Sequence, residues 1–175
     1  MLFEQFKNKL IISCQALPDE PLHSPFIMGR MALAAKQVGA VAIRCQSVDD
    51  IVEIKKVTGL PVIGLIKKNY DDSDIYITPT KDEVQALLDI GCEVIALDAT
   101  LRKRPHDEKL EDLVKMIRDG GALSLADISS YEEGINAEKI GFDAISTTLS
   151  GYTPYTPKLV GPDLGLVARL VADTK

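Results

Sequence analysis

One pattern constrains this chain more than any other. A glycine, a continuous apolar run of strand length and a polar residue closing the run recur along 175 residues. The copies are Gly39-Ala-Val-Ala-Ile-Arg44, Gly59-Leu-Pro-Val-Ile-Gly-Leu-Ile-Lys67, Gly91-Cys-Glu-Val-Ile-Ala-Leu-Asp98, Gly121-Ala-Leu-Ser-Leu-Ala-Asp127 and Gly141-Phe-Asp-Ala-Ile-Ser-Thr147, and Leu10-Ile-Ile-Ser-Cys-Gln15 opens the series without its glycine. Runs that are apolar throughout, rather than alternating, suit strands covered on both faces, as in a parallel sheet.

Helical segments with start signals fall between these runs. Ser24 before Pro25 predicts a helix through Met28, Met31, Ala32 and Ala35 that stops at Gly39. Thr80-Lys-Asp-Glu83 and Ser130-Tyr-Glu-Glu133 are capping boxes, in which hydroxyl and carboxylate satisfy each other's unpaired backbone N–H groups. Ser47 with Asp50 is a weaker version, and further helices are expected over 108–118 and 162–172. Strand then helix, six times over, gives an open doubly wound sheet or a closed (β/α) barrel.

Spacing favours the barrel. From Gln15 to Thr147 the strand-end residues are about 26 positions apart, near what an eight-unit barrel of ~250 residues needs. No GxGxxG follows the first strand, which weakens the dinucleotide-binding alternative. Twenty-eight residues follow Thr147, so the expectation is one (β/α)₈-type barrel domain over 1–175 with six units present and two lacking.

Composition excludes several function classes. Twenty basic against 26 acidic residues leave a net charge of −6, with no basic surface for nucleic acid or an anionic membrane. The longest apolar runs are strand-sized, far short of a membrane helix of about 20 residues, and the N-terminus lacks a secretory pattern; a cytoplasmic enzyme with a small substrate is expected. Cys14, Cys45 and Cys92 are odd in number and unpaired in sequence, so they read as reduced, buried thiols. His23 and His106 lie off the strand ends, so no metal constellation is visible. The Arg102-Lys-Arg104 stretch reads as a solvated loop or a phosphate contact.

Barrel chemistry gathers where strands end. The candidates are therefore Gln15, Arg44, Lys67, Asp98, Asp127 and Thr147. Arg44 and Lys67 follow apolar strands at the rim of a low-dielectric core, where a lysine pKa falls toward the range of base chemistry; Asp98 and Asp127 are natural counter-charges. A structural ion-pair network is the competing reading.

At these same positions the chain becomes recognisable. Ser13-Cys-Gln-Ala-Leu-Pro18, Val41-Ala-Ile-Arg44, Gly64-Leu-Ile-Lys67, Ile77-Thr-Pro-Thr80, Val94-Ile-Ala-Leu-Asp-Ala-Thr100 and Ile145-Ser-Thr-Thr-Leu-Ser-Gly-Tyr-Thr153, in that order, resemble the bacterial N-acetylmannosamine-6-phosphate 2-epimerase family over essentially the whole chain. The resemblance implies a (β/α)₈ barrel that interconverts N-acetylmannosamine 6-phosphate and N-acetylglucosamine 6-phosphate in sialic acid catabolism, with no metal or other cofactor required. It implies Lys67 as the catalytic lysine, with Gln15, Arg44 and Asp127 around the sugar. Asp127 is expected to serve in catalysis by orienting Lys67 or holding a hydroxyl, and the strand-end residues Asp98 and Thr147 are expected to complete the substrate-binding set. The family also carries a seventh-strand glutamate that partners the lysine, and glycine-rich phosphate loops on strands seven and eight; neither appears in this sequence.

Epimerisation at carbon 2 removes a proton alpha to the open-chain aldehyde and returns one to the opposite face, which needs a base, an acid and charge stabilisation. Lys67 is the expected base and Lys68 the competing lysine. The alternatives are a Schiff-base aldolase or a pentose-phosphate epimerase on the same scaffold, or an inactive fragment. Sheet edges left without neighbours predict self-association.

Overall fold

A computed structural model describes residues 2–174. Six strands, β1 (Ile11–Cys14), β2 (Ala42–Gln46), β3 (Val62–Leu65), β4 (Val94–Asp98), β5 (Leu123–Asp127) and β6 (Ala144–Ser146), pair in chain order, every pair parallel. Seven helices, α1 (Leu2–Phe6), α2 (Pro25–Gln37), α3 (Val48–Thr58), α4 (Lys81–Asp89), α5 (Leu110–Asp119), α6 (Tyr131–Ile140) and α7 (Leu164–Asp173), complete the order, with α2 to α7 following the strands in turn. The sheet is a curled half-barrel of the TIM-barrel family with six βα units.

Every strand read from the glycine-led repeat is present, and both capping boxes form. Ser24 stands at the N-cap of α2 without a side-chain bond; Pro25, whose φ is preset and whose missing N–H costs nothing there, starts the helix. Two helices begin later than expected. A short 3-10 turn, Pro105–Asp107, precedes α5, and α7 starts at Leu164 because the Asp163 carboxylate accepts the Leu166 N–H at 2.9 Å.

The pleat sorts side chains onto two faces. Ile43, Cys45, Val62, Ile95 and Leu97 face outward into a layer with Met28, Ile51, Ile54, Leu87, Val114 and Ile117 of the helices. The three cysteines lie in this layer as buried thiols, with Cys14 beside Cys45 in strand register. Gly64 makes the layer close: a Cβ there would stand 2.5 Å from Cys92 Sγ and 2.8 Å from Ile51 Cδ1. The concave face carries Ala42, Ile63, Leu65, Val94, Ala96 and Leu125, floored by Phe6 of α1, a helix the repeat did not reveal.

β1 and β6 each have one strand neighbour among the described residues. Beside β6, a groove of about 380 Å³ runs between that strand and α7, lined in part by Ile145, Val167 and Val171. No helix among the described residues is long and apolar enough to cross a membrane.

Candidate active site

Strand register brings the predicted residues together. Asp98 pairs with Asp127 and Asp127 with Ser146, while Arg44 pairs with Ser13 and Ile63, so all of these point to the concave side at the strands' C-terminal ends. Across 83 positions of sequence, Arg44 Nη2 donates to Asp127 Oδ2 at 2.5 Å. The Asp127 side chain is wholly buried, and its Oδ1 has no hydrogen-bond partner among the described residues. Burial pushes the Asp127 carboxyl up; Arg44 and the Thr148 hydroxyl pull it back, Asp98 adds to the rise, and the net shift is upward. Gln15 donates from Nε2 to Ser13 Oγ at 2.8 Å, and its buried Oε1 likewise lacks a donor.

Lys67 stands two residues past the end of β3, fixed by an antiparallel bridge to Ile77. It is half-buried, and its ammonium has no hydrogen-bond or ion-pair partner among the described residues. Burial lowers its pKa, the Arg44 cation lowers it further, and Glu20 and Asp127 only partly offset this. Lys68 is held the other way. Its Nζ donates to Glu83 Oε1 at 3.0 Å and lies 4.8 Å from the centre of the Tyr70 ring, and these contacts raise its pKa. The neighbouring lysines are thus separated by environment: one is a candidate base, the other a bound cation.

Asp98 is present in the mouth with both oxygens engaged. Oδ1 accepts Thr100 N at 3.0 Å and Thr100 Oγ1 at 2.7 Å, and Oδ2 accepts Arg102 Nη2 at 2.6 Å. Thr147 stands one residue past the end of β6, in the loop that leads to α7. Ser146 and Thr148 take the inward places, their hydroxyls 2.6 Å apart, and Thr148 is the threonine that reaches Asp127. A hollow of about 880 Å³ lies within the long β6–α7 loop, lined by that loop alone and by none of the mouth's charged residues.

In the basic loop Lys103 is solvated, whereas Arg104 is neither solvated nor free for phosphate. Arg104 is 5% exposed and donates to the carbonyls of Pro79, at 3.0 Å, and Asp98, tying the β3–α4 loop to the end of β4. Nothing in Arg-Lys-Arg-Pro distinguishes this tie from surface charge. His106 sits on that loop with its backbone N–H on Asp72 at 2.9 Å, and His23 faces the Ala16 carbonyl at 3.2 Å.

Comparison with known proteins bears on the whole chain. Residues 28–174 match the profile of the family described as "Putative N-acetylmannosamine-6-phosphate epimerase". A Clostridioides difficile (strain 630) protein named "Putative N-acetylmannosamine-6-phosphate 2-epimerase" is 64% identical over 98% of this chain and 77% of its own length. A protein of the same name from Clostridium perfringens (strain SM101 / Type A) is 62% identical over 99% of this chain and 79% of its own. Among solved structures, that of the N-acetylmannosamine-6-phosphate 2-epimerase from Clostridium perfringens superposes with a TM-score of 0.98 at 61% identity, covering 100% of this chain and 76% of that one.

Proposed function

The chain belongs to the N-acetylmannosamine-6-phosphate epimerase family, and from that membership we propose that it is built to interconvert N-acetylmannosamine 6-phosphate and N-acetylglucosamine 6-phosphate by proton transfer at carbon 2. The observation that carries the reading is Lys67, half-buried, without a partner of its own, its pKa lowered beside the Arg44–Asp127 pair. A lysine that loses its proton readily is competent to take one from carbon 2 of the open-chain sugar. Arg44 places positive charge where the enolate oxygen develops, worth most in a site screened from water.

Asp127 Oδ1 and Gln15 Oε1 are the acceptors left for the sugar's hydroxyl or amide donors, since a buried acceptor without a partner gains most from a ligand that supplies one. Asp98 acts by fixing Arg102 at the rim, and Thr147 completes the substrate-binding set from the loop after β6. The second proton-transfer group is the glutamate that the resemblance places on a seventh strand. The barrel is one domain of a cytoplasmic enzyme whose substrate is a phosphorylated amino sugar, and neither nucleic acid nor membrane is a partner. The exposed apolar side chains of Leu164 and Val171 on α7 favour self-association, which sedimentation at micromolar concentration measures.

Turnover in deuterated water tests the chemistry. Product carrying solvent deuterium at carbon 2 supports proton transfer, and retention of the original hydrogen throughout turnover overturns it. Borohydride trapping of substrate on Lys67 would replace this reading with a Schiff-base aldolase. Loss of activity with chelator would favour a metal-dependent pentose-phosphate epimerase, and absence of turnover an inactive fragment.

A further inference from the structure

We propose that Tyr76 is an additional substrate-binding residue of this mouth, its phenol donating a hydrogen bond to the bound sugar. The inference deepens the epimerase reading and rests on it. Tyr76 lies nine positions beyond Lys67, yet the backbone folds it back to the same level. Lys68 N donates to the Tyr76 carbonyl at 3.0 Å, Thr78 N donates to the Ile66 carbonyl at 2.8 Å, and Lys67 bridges Ile77 between them. This short hairpin lays the half-buried Tyr76 ring against the concave apolar cluster that includes Ile63, Leu65 and Ile77.

The phenol lies within the field of the mouth's charged groups. The charges that bear on it are those of Asp98, Arg102 and Asp127, together with Tyr152 from the β6–α7 loop. Burial and the two carboxylates push its pKa up, so the group stays protonated and is an O–H donor. Three of the other four tyrosines have their hydroxyls occupied, Tyr70 by Glu83 at 2.9 Å, Tyr131 by Asp173 at 2.9 Å and Tyr155 by Glu133 at 2.6 Å, and Tyr152 is exposed to water. The Tyr76 hydroxyl has no hydrogen-bond partner among the described residues. A half-buried phenol without a protein partner is free to donate to a ligand, and the two orphan acceptors, Asp127 Oδ1 and Gln15 Oε1, belong to the same concave mouth. A sugar, with donors and acceptors on successive carbons, answers both needs.

The chain contains no tryptophan, so its near-ultraviolet spectrum reports tyrosines alone. Titration of the full chain with N-acetylmannosamine 6-phosphate, followed by calorimetry and tyrosine difference absorbance, is the test. Tyr76→Phe keeps the ring and the fold; it is expected to weaken binding roughly 2- to 12-fold, the range of one net hydrogen bond, and to remove most of the difference band. Tyr131→Phe, on the outer helix α6, leaves both unchanged. If the unaltered chain binds the sugar and Tyr76→Phe matches it in affinity and spectrum, the assignment is wrong while the epimerase reading stands. If the unaltered chain binds no sugar phosphate, the reading of the mouth fails and Tyr76 falls with it.

Discussion

Glu133 in the first turn of α6 and Asp127 at the end of β5 are equally buried carboxylates six positions apart in sequence, and they are held in opposite ways. Glu133 Oε2 accepts Ser129 N, Ser129 Oγ and Ser130 N, at 2.8, 2.8 and 2.9 Å, while Oε1 accepts Leu101 N at 3.3 Å and the Tyr155 hydroxyl at 2.6 Å. Burial alone would push its pKa up; the hydrogen bonds outweigh burial and the net shift is downward. Glu83 repeats the arrangement in α4, where Thr80, Lys68 and Tyr70 overcome the same burial. Asp127, with Arg44 on Oδ2, no hydrogen bond on Oδ1 and only the weaker pull of the Thr148 hydroxyl beside it, goes the other way. Saturated carboxylates belong to the frame. The unsaturated one is costly to the fold, and its cost is relieved by a ligand.

The largest expected effect lies on the unsaturated side. Lys67→Ala should lower epimerisation by ~10²- to 10⁴-fold, the usual worth of a positioned proton-transfer group, with the circular dichroism spectrum unchanged; undiminished turnover moves the base elsewhere. Next comes the frame. Glu133→Ala strands several buried donors and should cost about 3 kcal/mol in urea unfolding, whereas Asp127→Asn should cost less than ~1 kcal/mol or stabilise, because it removes a buried charge while leaving an acceptor for Arg44. Equal destabilisation by the two substitutions would erase the distinction.

Acid titration sharpens the same contrast through its sign. Glu83 and Glu133, lowered from 4.5, contribute stability that is fully present above that value and is lost as pH falls through their folded pKa. Asp127, raised from 3.8, contributes stability that is fully present below 3.8 and is lost as pH rises through its folded pKa. The unaltered chain should therefore lose stability relative to Asp127→Asn as pH rises from the acid side. A constant difference between the two across that window contradicts the assignment. The smallest effect is expected of Lys68→Met: its ammonium is half-exposed, so stability should change by under ~1 kcal/mol and turnover should not change.

The glycine-led runs and the two capping boxes carried most of the architecture, because a parallel strand and a capped helix are local patterns. The register that joins Arg44 to Asp127 followed from strand ends alone. Ser146 and Thr148 were not singled out, since β6 ends at Ser146 and a shift of one residue at a strand end reverses the face a side chain takes. Lys67 and Lys68 could not be told apart by the chemistry of adjacent lysines; Glu83 and Tyr70, fifteen and two positions from Lys68, separate them. Arg104 and Tyr76 were hidden for a related reason. Their roles depend on carbonyls and carboxylates brought in by other loops, and no spacing rule records that.

Arg104 has a kinetic consequence. Its guanidinium joins the carbonyls of Pro79 and Asp98 inside the protein, so the β3–α4 loop cannot swing outward unless that cation is left without acceptors in a place water does not reach. The wall bearing Lys67 and Tyr76 is therefore the braced side of the mouth, and a motion that admits a sugar meets less resistance along the rest of the rim.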